Sequence, residues 1–294
     1  MDKNRKACGS SSARSPPWIE PEELMENFLR RLDPVEKLNI AEKVCTTWRS
    51  VCSGASLWRV IRMTRSGDDV LCRRAVDRSQ GELIDIHIEY FGTDDLLHYI
   101  SQRKSSCLKC LKLGRCDSIS GNGLTKSVKD FPELEELHLF FMSRITAEDI
   151  KVIGISCPKL KSFTFNNRSY KRNFSYIVEI EDDSCAFSIA RNMANLHHLC
   201  LFCNRLSNEG LKAILNGCPN LELLDLRKCH RVDLQGDFGK ICLERIKYLK
   251  CPYDSIEDFD YDVDYDSDDT VYDHGYYCSD SSDYDYEYDP FLYR

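Results

Sequence analysis

The sequence predicts a mixed α/β chain. A short N-terminal module of three helices leads into a solenoid of stacked strand–helix units that forms an open arc, and a disordered acidic tail follows. Three observations carry this. Apolar residues recur at helical spacing between Leu24 and Val51. A Leu-x-x-Leu-x-Leu unit then recurs at intervals of 22 to 36 residues as far as the 240s. From Glu257 to Asp289 there are 14 Asp or Glu and no Lys or Arg. Setting those 14 aside turns the formal net charge of −8 into +6 for the remainder, an acidic tail on a mildly basic body.

Residues 1–15 are polar and expected to be disordered. They hold no apolar h-region and no glycine at position 2, so neither a secretory leader nor a myristoyl anchor is expected. The first helix begins at Pro21, where a missing N–H costs nothing, with Glu22 and Glu23 at the positive helix end. Leu24, Phe28 and Leu32 follow at i, i+4 and i+8, with Leu29 beside them. The second helix starts at Asp33-Pro34-Val35-Glu36, a capping-box pattern, and carries Val35 and Leu38. Ile40, Val44, Trp48 and Val51 predict a third. Three short helices make a small core that usually needs a partner or a fused domain.

Read together, Trp18-Ile19-Glu20-Pro21, Phe28-Leu29-Arg30-Arg31-Leu32, Val44-Cys45-Thr46-Thr47-Trp48-Arg49 and Leu57-Trp58-Arg59 resemble an F-box, the module by which substrate receptors dock on SCF-type ubiquitin ligases. Glu20 stands where that family usually has leucine. The resemblance covers residues 16–62. It implies that Pro21, Leu24, Phe28, Leu29, Leu32, Val35, Leu38, Val44, Cys45, Trp48 and Trp58 contact an Skp-type adaptor, and through it a cullin scaffold, or form the core behind that contact.

The repeats are expected over residues 57–252. The units open at Leu57, Leu83, Leu108, Leu134, Leu160, Leu196, Leu221 and Leu243. The one long interval, from 160 to 196, suggests about ten extra residues near Arg168 to Asp183. Alternation within each unit predicts a short strand with one buried face. The ninth position is small, apolar or an amide (Phe91, Cys116, Met142, Asn204, Cys229) and can turn inward where the strand ends. Thr93, Ser120, Thr146 and Ser207 are natural N-caps for the helices that follow, and Leu96, Leu124, Ile150 and Leu211 would pack under the strands. Cys157-Pro158 and Cys218-Pro219 close units. This pattern resembles the cysteine-containing leucine-rich repeats found behind F-boxes, a common plant arrangement. No repeat buries its own apolar face, so stacking supplies the core.

Positions three, five and seven of each strand are expected on the concave side. They include His138 and Phe140, His198 and Phe202, and Asp225 and Arg227, with Phe140, Phe202 and Arg227 as the expected anchors for a protein target. The sequence holds 16 cysteines. In a reducing compartment these are expected to be buried structural thiols. The run His197-His198-Leu199-Cys200-Leu201-Phe202-Cys203 does not converge on a metal. On a strand, His198 and Cys200 face one way while His197 and Cys203 face the other, and His138 lies two strands off, about 10 Å away. No Gly-x-Ser-x-Gly, phosphate loop or His-Glu-x-x-His is present. The tail of residues 253–294 lacks the glycine and glutamate that a calcium loop starting at Asp260 would need.

The resemblance therefore implies a non-catalytic substrate-recognition subunit of an SCF-type E3 ligase. Its helices would hold the adaptor, and its repeats would hold a protein marked for ubiquitination and proteasomal degradation. No cofactor, metal, nucleic acid or membrane enters this expectation, and the nucleus or cytoplasm is the expected compartment. A non-degradative scaffold and an acidic-tailed chaperone or chromatin-binding repeat protein remain open alternatives.

Overall fold

The computed structural model describes residues 21–64, 67–103, 107–142, 144–166 and 182–258. The chain divides into two units, Met1–Asp254 and Ser255–Arg294. The polar N-terminus, nearly all of the acidic tail and most of the expected insertion lie outside the described residues.

The N-terminal module opens with α1 (Pro21–Leu29). A capping box starts α2 (Pro34–Glu36): the Glu36 N–H donates to Asp33 Oδ1 at 2.8 Å, and the Asp33 N–H donates to Glu36 Oε2 at 3.1 Å. The helix continues through a π turn over Lys37–Ala41 into α3 (Glu42–Val44). Cys45 is then extended, at φ −160° and ψ 175°, and its Sγ accepts the Trp48 N–H at 3.5 Å to cap α4 (Thr46–Cys52). This corrects the expected third helix. Ile40 and Val44 finish the second helical run, and only Trp48 and Val51 belong to the third. The thiol satisfies one of the orphan donors that any new helix must place, so the chain restarts at Thr46.

The repeats form one eight-stranded parallel sheet in chain order. Its strands are β1 (Val60–Met63), β2 (Asp85–Glu89), β3 (Cys110–Gly114), β4 (Glu136–Phe140), β5 (Ser162–Phe165), β6 (His198–Cys200), β7 (Leu223–Asp225) and β8 (Tyr248–Lys250). Register aligns equivalent positions of every unit. Ile86, Leu111, Leu137, Phe163, Leu199 and Leu224 make one continuous row. All six are fully buried. Because side chains alternate, a slip of one residue would turn this whole row to solvent.

The same rule corrects the two end units. Ile61 and Met63, not Val60, pair with Ile86 and Ile88, so the first unit reads Trp58-x-x-Ile61-x-Met63. Leu249 pairs with Leu224, so the last unit opens at Ile246 rather than Leu243. Leu243 faces solvent on its helix.

Each of β1 to β7 is followed by a helix: α5 (Asp69–Arg78), α6 (Asp94–Gln102), α7 (Gly121–Ser127), α8 (Ala147–Ser156), α9 (Ser184–Asn192), α10 (Asn208–Gly217) and α11 (Gly236–Arg245). Thr93, Ser120, Thr146 and Ser207 each cap a helix with the side-chain hydroxyl, at 3.1, 3.0, 3.4 and 3.1 Å from a first-turn N–H. Leu96, Leu124, Ile150 and Leu211 are buried without exposure.

A feature the sequence did not announce governs the strand exits. The eighth residue of the unit is left-handed in five repeats: Tyr90 (φ 69°), Arg115 (52°), Phe141 (55°), Cys203 (57°) and Lys228 (63°). None is glycine, so the stacked neighbours must hold a backbone that costs on the order of 1–3 kcal/mol at each site. The turn sends the ninth residue inward, where the Cys116 and Cys229 thiols donate to the carbonyls of Phe91 (2.7 Å) and Leu201 (2.8 Å) in the preceding unit. At the helix exits, Cys157 and Cys218 reach the Val128 and Met193 carbonyls at 3.9 and 3.5 Å. Burial pushes the Cys72, Cys116 and Cys157 thiols up to about 12 and that of Cys218 to about 11. Such protonated, buried sulfurs act as packing residues rather than reactive ones.

Candidate functional site

Two surfaces collect the residues singled out by the sequence. The first is on the N-terminal module. Leu24 and Phe28 are 54% and 52% exposed, one helical turn apart on α1. Ile40 and Val44 are 63% and 54% exposed, again one turn apart. Phe28 meets the half-buried Trp48 ring with centroids 5.8 Å apart at 58°, which joins α1 to α4. Leu32 and Val35 are half-buried and Cys45 is exposed. Four large exposed apolar side chains on so few residues are costly in water, at about 25 cal/mol for each Å² left uncovered. Such concentration marks a contact surface.

The remaining members of the expected adaptor set face inward. Leu29, Leu38 and Trp58 are buried, and Trp58 Nε1 donates to the Cys52 carbonyl at 2.7 Å. Trp58 thus serves twice, as the module's core and as the opening residue of the first repeat. The Lys37 ammonium lies over its ring at 5.4 Å, and burial lowers the Lys37 pKa. Pro21 stands at the first residue of α1. Ile40 was absent from the expected contact set, although its spacing from Val44 was a readable signal. The Glu42 carboxylate ties the module to α5 through Arg78 at 2.9 Å and Arg74 at 3.6 Å.

The second surface is the outward face of the sheet, and here the expectation is corrected. Phe140, Phe202, Asp225 and Arg227 are buried, at 7%, 0%, 5% and 2% exposure, and do not stand out as anchors. Strands β6 and β7 end at Cys200 and Asp225, so Phe202 and Arg227 lie past the ladder, where two-residue alternation no longer sets direction. Phe140 is the last residue of β4 and stacks on His138 with centroids 6.1 Å apart. Arg227 folds back on Asp225, donating from Nε at 3.0 Å and from Nη2 at 2.7 Å. His198 is exposed and His138 half-buried, in keeping with outward positions three and five.

The sheet also assembles a group that sequence reading missed. Cys110 and Glu136 are register partners on β3 and β4, and His138 follows two residues after Glu136 on the same face. The Cys110 thiol donates to Glu136 Oε2 at 3.6 Å, and His138 Nε2 lies 3.4 Å from the same oxygen. His138 Nδ1 pairs with Thr164 Oγ1 of β5 at 2.8 Å. One ligand atom from each of Cys110, Glu136 and His138 falls within 4.8 Å of the others. The hydrogen bond from His138 holds Glu136 below the usual carboxylate range, and burial next to Asp85 pushes the Cys110 thiol up. The available signal was positions three and five of adjacent repeats, 26 residues apart.

Among the described residues no helix is long and apolar enough to cross a membrane. The F-box-like family model matches residues 21–64, the span of the exposed apolar face and of Trp58. The F-box protein SKIP19 of Arabidopsis thaliana is 43% identical over 293 residues, covering 91% of this chain and 93% of that protein. The putative F-box/LRR-repeat protein 21 of the same plant is 40% identical over 261 residues, covering 83% of this chain and 84% of that protein. A solved chain from the yeast Rad7 and Elc1 complex superimposes with a TM-score of 0.51 at 16% identity, covering 78% of this chain and 61% of that one. That likeness concerns the fold.

Proposed function

The chain belongs to the plant F-box/leucine-rich-repeat family, whose members are generally adaptor-type rather than catalytic, and from that premise we propose that it is the substrate-recognition subunit of an SCF-type ubiquitin ligase. An F-box implies an Skp-type adaptor as partner. In this reading the adaptor covers Leu24, Phe28, Ile40 and Val44, a cullin joins through the adaptor, and the repeats present a captured protein to the ubiquitin-charged enzyme. The work would take place in the cytosol or the nucleus. Ubiquitin transfer belongs to other subunits. This chain contributes proximity, which raises the effective concentration of target lysines at the thioester.

The observation that carries the reading is the exposed apolar surface on a small helical module already anchored to the buried repeat core. Affinity capture of the full chain from plant cells tests it. The adaptor and cullin should co-purify, and at least one further protein should accumulate on the chain when the proteasome is inhibited. Capture of the adaptor with no inhibitor-dependent protein would instead support a scaffold that degrades nothing. Absence of the adaptor would overturn the reading altogether.

A further inference from the structure

We propose that Cys110, Glu136 and His138 form a zinc-class divalent cation site on the outward face of the sheet, with a fourth position open to solvent. The donor set suits that ion. Zinc takes thiolate, imidazole and carboxylate together, whereas calcium and magnesium take oxygen alone.

The spacing suits it as well. With bonds of about 2.0–2.3 Å, donors at the corners of a tetrahedron lie roughly 3.3–3.5 Å apart. The Cys110–Glu136 and Glu136–His138 separations are 3.6 and 3.4 Å, and the third edge is within 4.8 Å. The imidazole is already oriented: Thr164 Oγ1 holds Nδ1 at 2.8 Å and leaves Nε2 facing the carboxylate. A partner of this kind on the second nitrogen is what metal-binding histidines ordinarily carry.

Access and charge agree. The Glu136 side chain is 50% exposed while that of His138 is 13% exposed, so the site opens outward at the carboxylate and is walled behind. On binding, Cys110 gives its proton to solvent, and the neutral His138 ring carries its own proton on Nδ1, donated to Thr164 Oγ1, which leaves the Nε2 lone pair for the ion. The thiolate and the Glu136 carboxylate then neutralise the dication. The nearest flanking charges oppose each other: Asp85 is the register partner of Cys110 on β2, and Lys112 that of His138 on β3. Asp85 Oδ1 is buried, so a second carboxylate stands one strand away.

The experiment uses the full chain, reduced and metal-free, titrated with Co²⁺ and followed by absorbance, with Zn²⁺ then displacing the cobalt. The expected result is one equivalent giving both the intense visible bands of four-coordinate cobalt and thiolate-to-cobalt charge transfer. Cys110→Ser should abolish the charge-transfer band, and His138→Ala, which removes a ligand outright, should weaken binding by at least about 100-fold, the upper end of what a supporting partner costs. Thr164→Val, which removes only the positioning contact, should weaken it about 10- to 100-fold. Cys200→Ser, on the same face, should change nothing. If Cys110→Ser does not fold, Glu136→Gln at its half-exposed position tests the site through affinity and should lose at least about 100-fold, the upper end of what a supporting partner costs. No cobalt band, or a band that survives Glu136→Gln and His138→Ala undiminished, would overturn the assignment.

Discussion

The N-terminal module and the strand rows of the repeats are built from the same apolar side chains, and they dispose of them in opposite ways. In the repeats, Leu137, Leu139, Phe163 and Phe165 lie in continuous rows with no exposure, because each unit supplies a face that its neighbour covers. In the module, Leu24, Phe28, Ile40 and Val44 stay more than half exposed although Leu29, Leu38 and Trp58 beside them are buried. A stacked array closes its own core. A three-helix module of this size has one helical layer to bury and cannot cover both sides of it. The outer layer therefore belongs to a surface shared with something else.

Changes aimed at the two regions should therefore separate stability from binding. High pH should disturb stability most. The Cys72, Cys116 and Cys157 thiols are raised to about 12 and that of Cys218 to about 11, against an unfolded value near 8.5. Because the folded values are raised, the stability these thiols contribute is complete below about pH 8.5. It is lost as pH climbs toward the folded values, by on the order of 1 kcal/mol per pH unit for each thiol. Urea midpoints at pH 7.5 and 9.5 would show it, and replacing two of these cysteines with alanine should flatten the dependence. A midpoint that does not move would mean the thiols are not held protonated.

Next in size, Phe163→Ala opens a cavity in the central row and should cost about 3–5 kcal/mol, read as a lower urea midpoint. Adaptor affinity of the molecules that remain folded should not change. Smaller again, Thr146→Ala removes the cap of α8 and should cost about 1 kcal/mol. Native hydrogen exchange should then speed up in Ala147–Ser156 and not in α1.

The difference between the regions also explains what was legible beforehand. The repeat period, the strand rows and the four hydroxyl caps could all be read, because stacking forces each unit to repeat one pattern. The end units were misread by one and three residues, since Trp58 and Ile246 are not leucine and only pairing with a neighbour fixes register. The break at Cys45 was missed because a thiol is an uncommon cap. The burial of Phe202 and Arg227 follows from strands that stop two residues earlier, which spacing alone does not reveal. The Cys110–Glu136–His138 group depends on side chains 26 and 28 residues apart meeting across a ladder, so only register could expose it.

On the proposed reading, the outer layer of the module is a docking surface with no part in holding the fold. Titrating a purified Skp-type adaptor into the full chain and into a Leu24→Asp, Val44→Asp double variant tests it most directly. The parent should bind, the variant should lose at least about 100-fold in affinity, and stability should stay unchanged within about 0.5 kcal/mol. Equal affinity for both proteins, or a variant that unfolds, would contradict it.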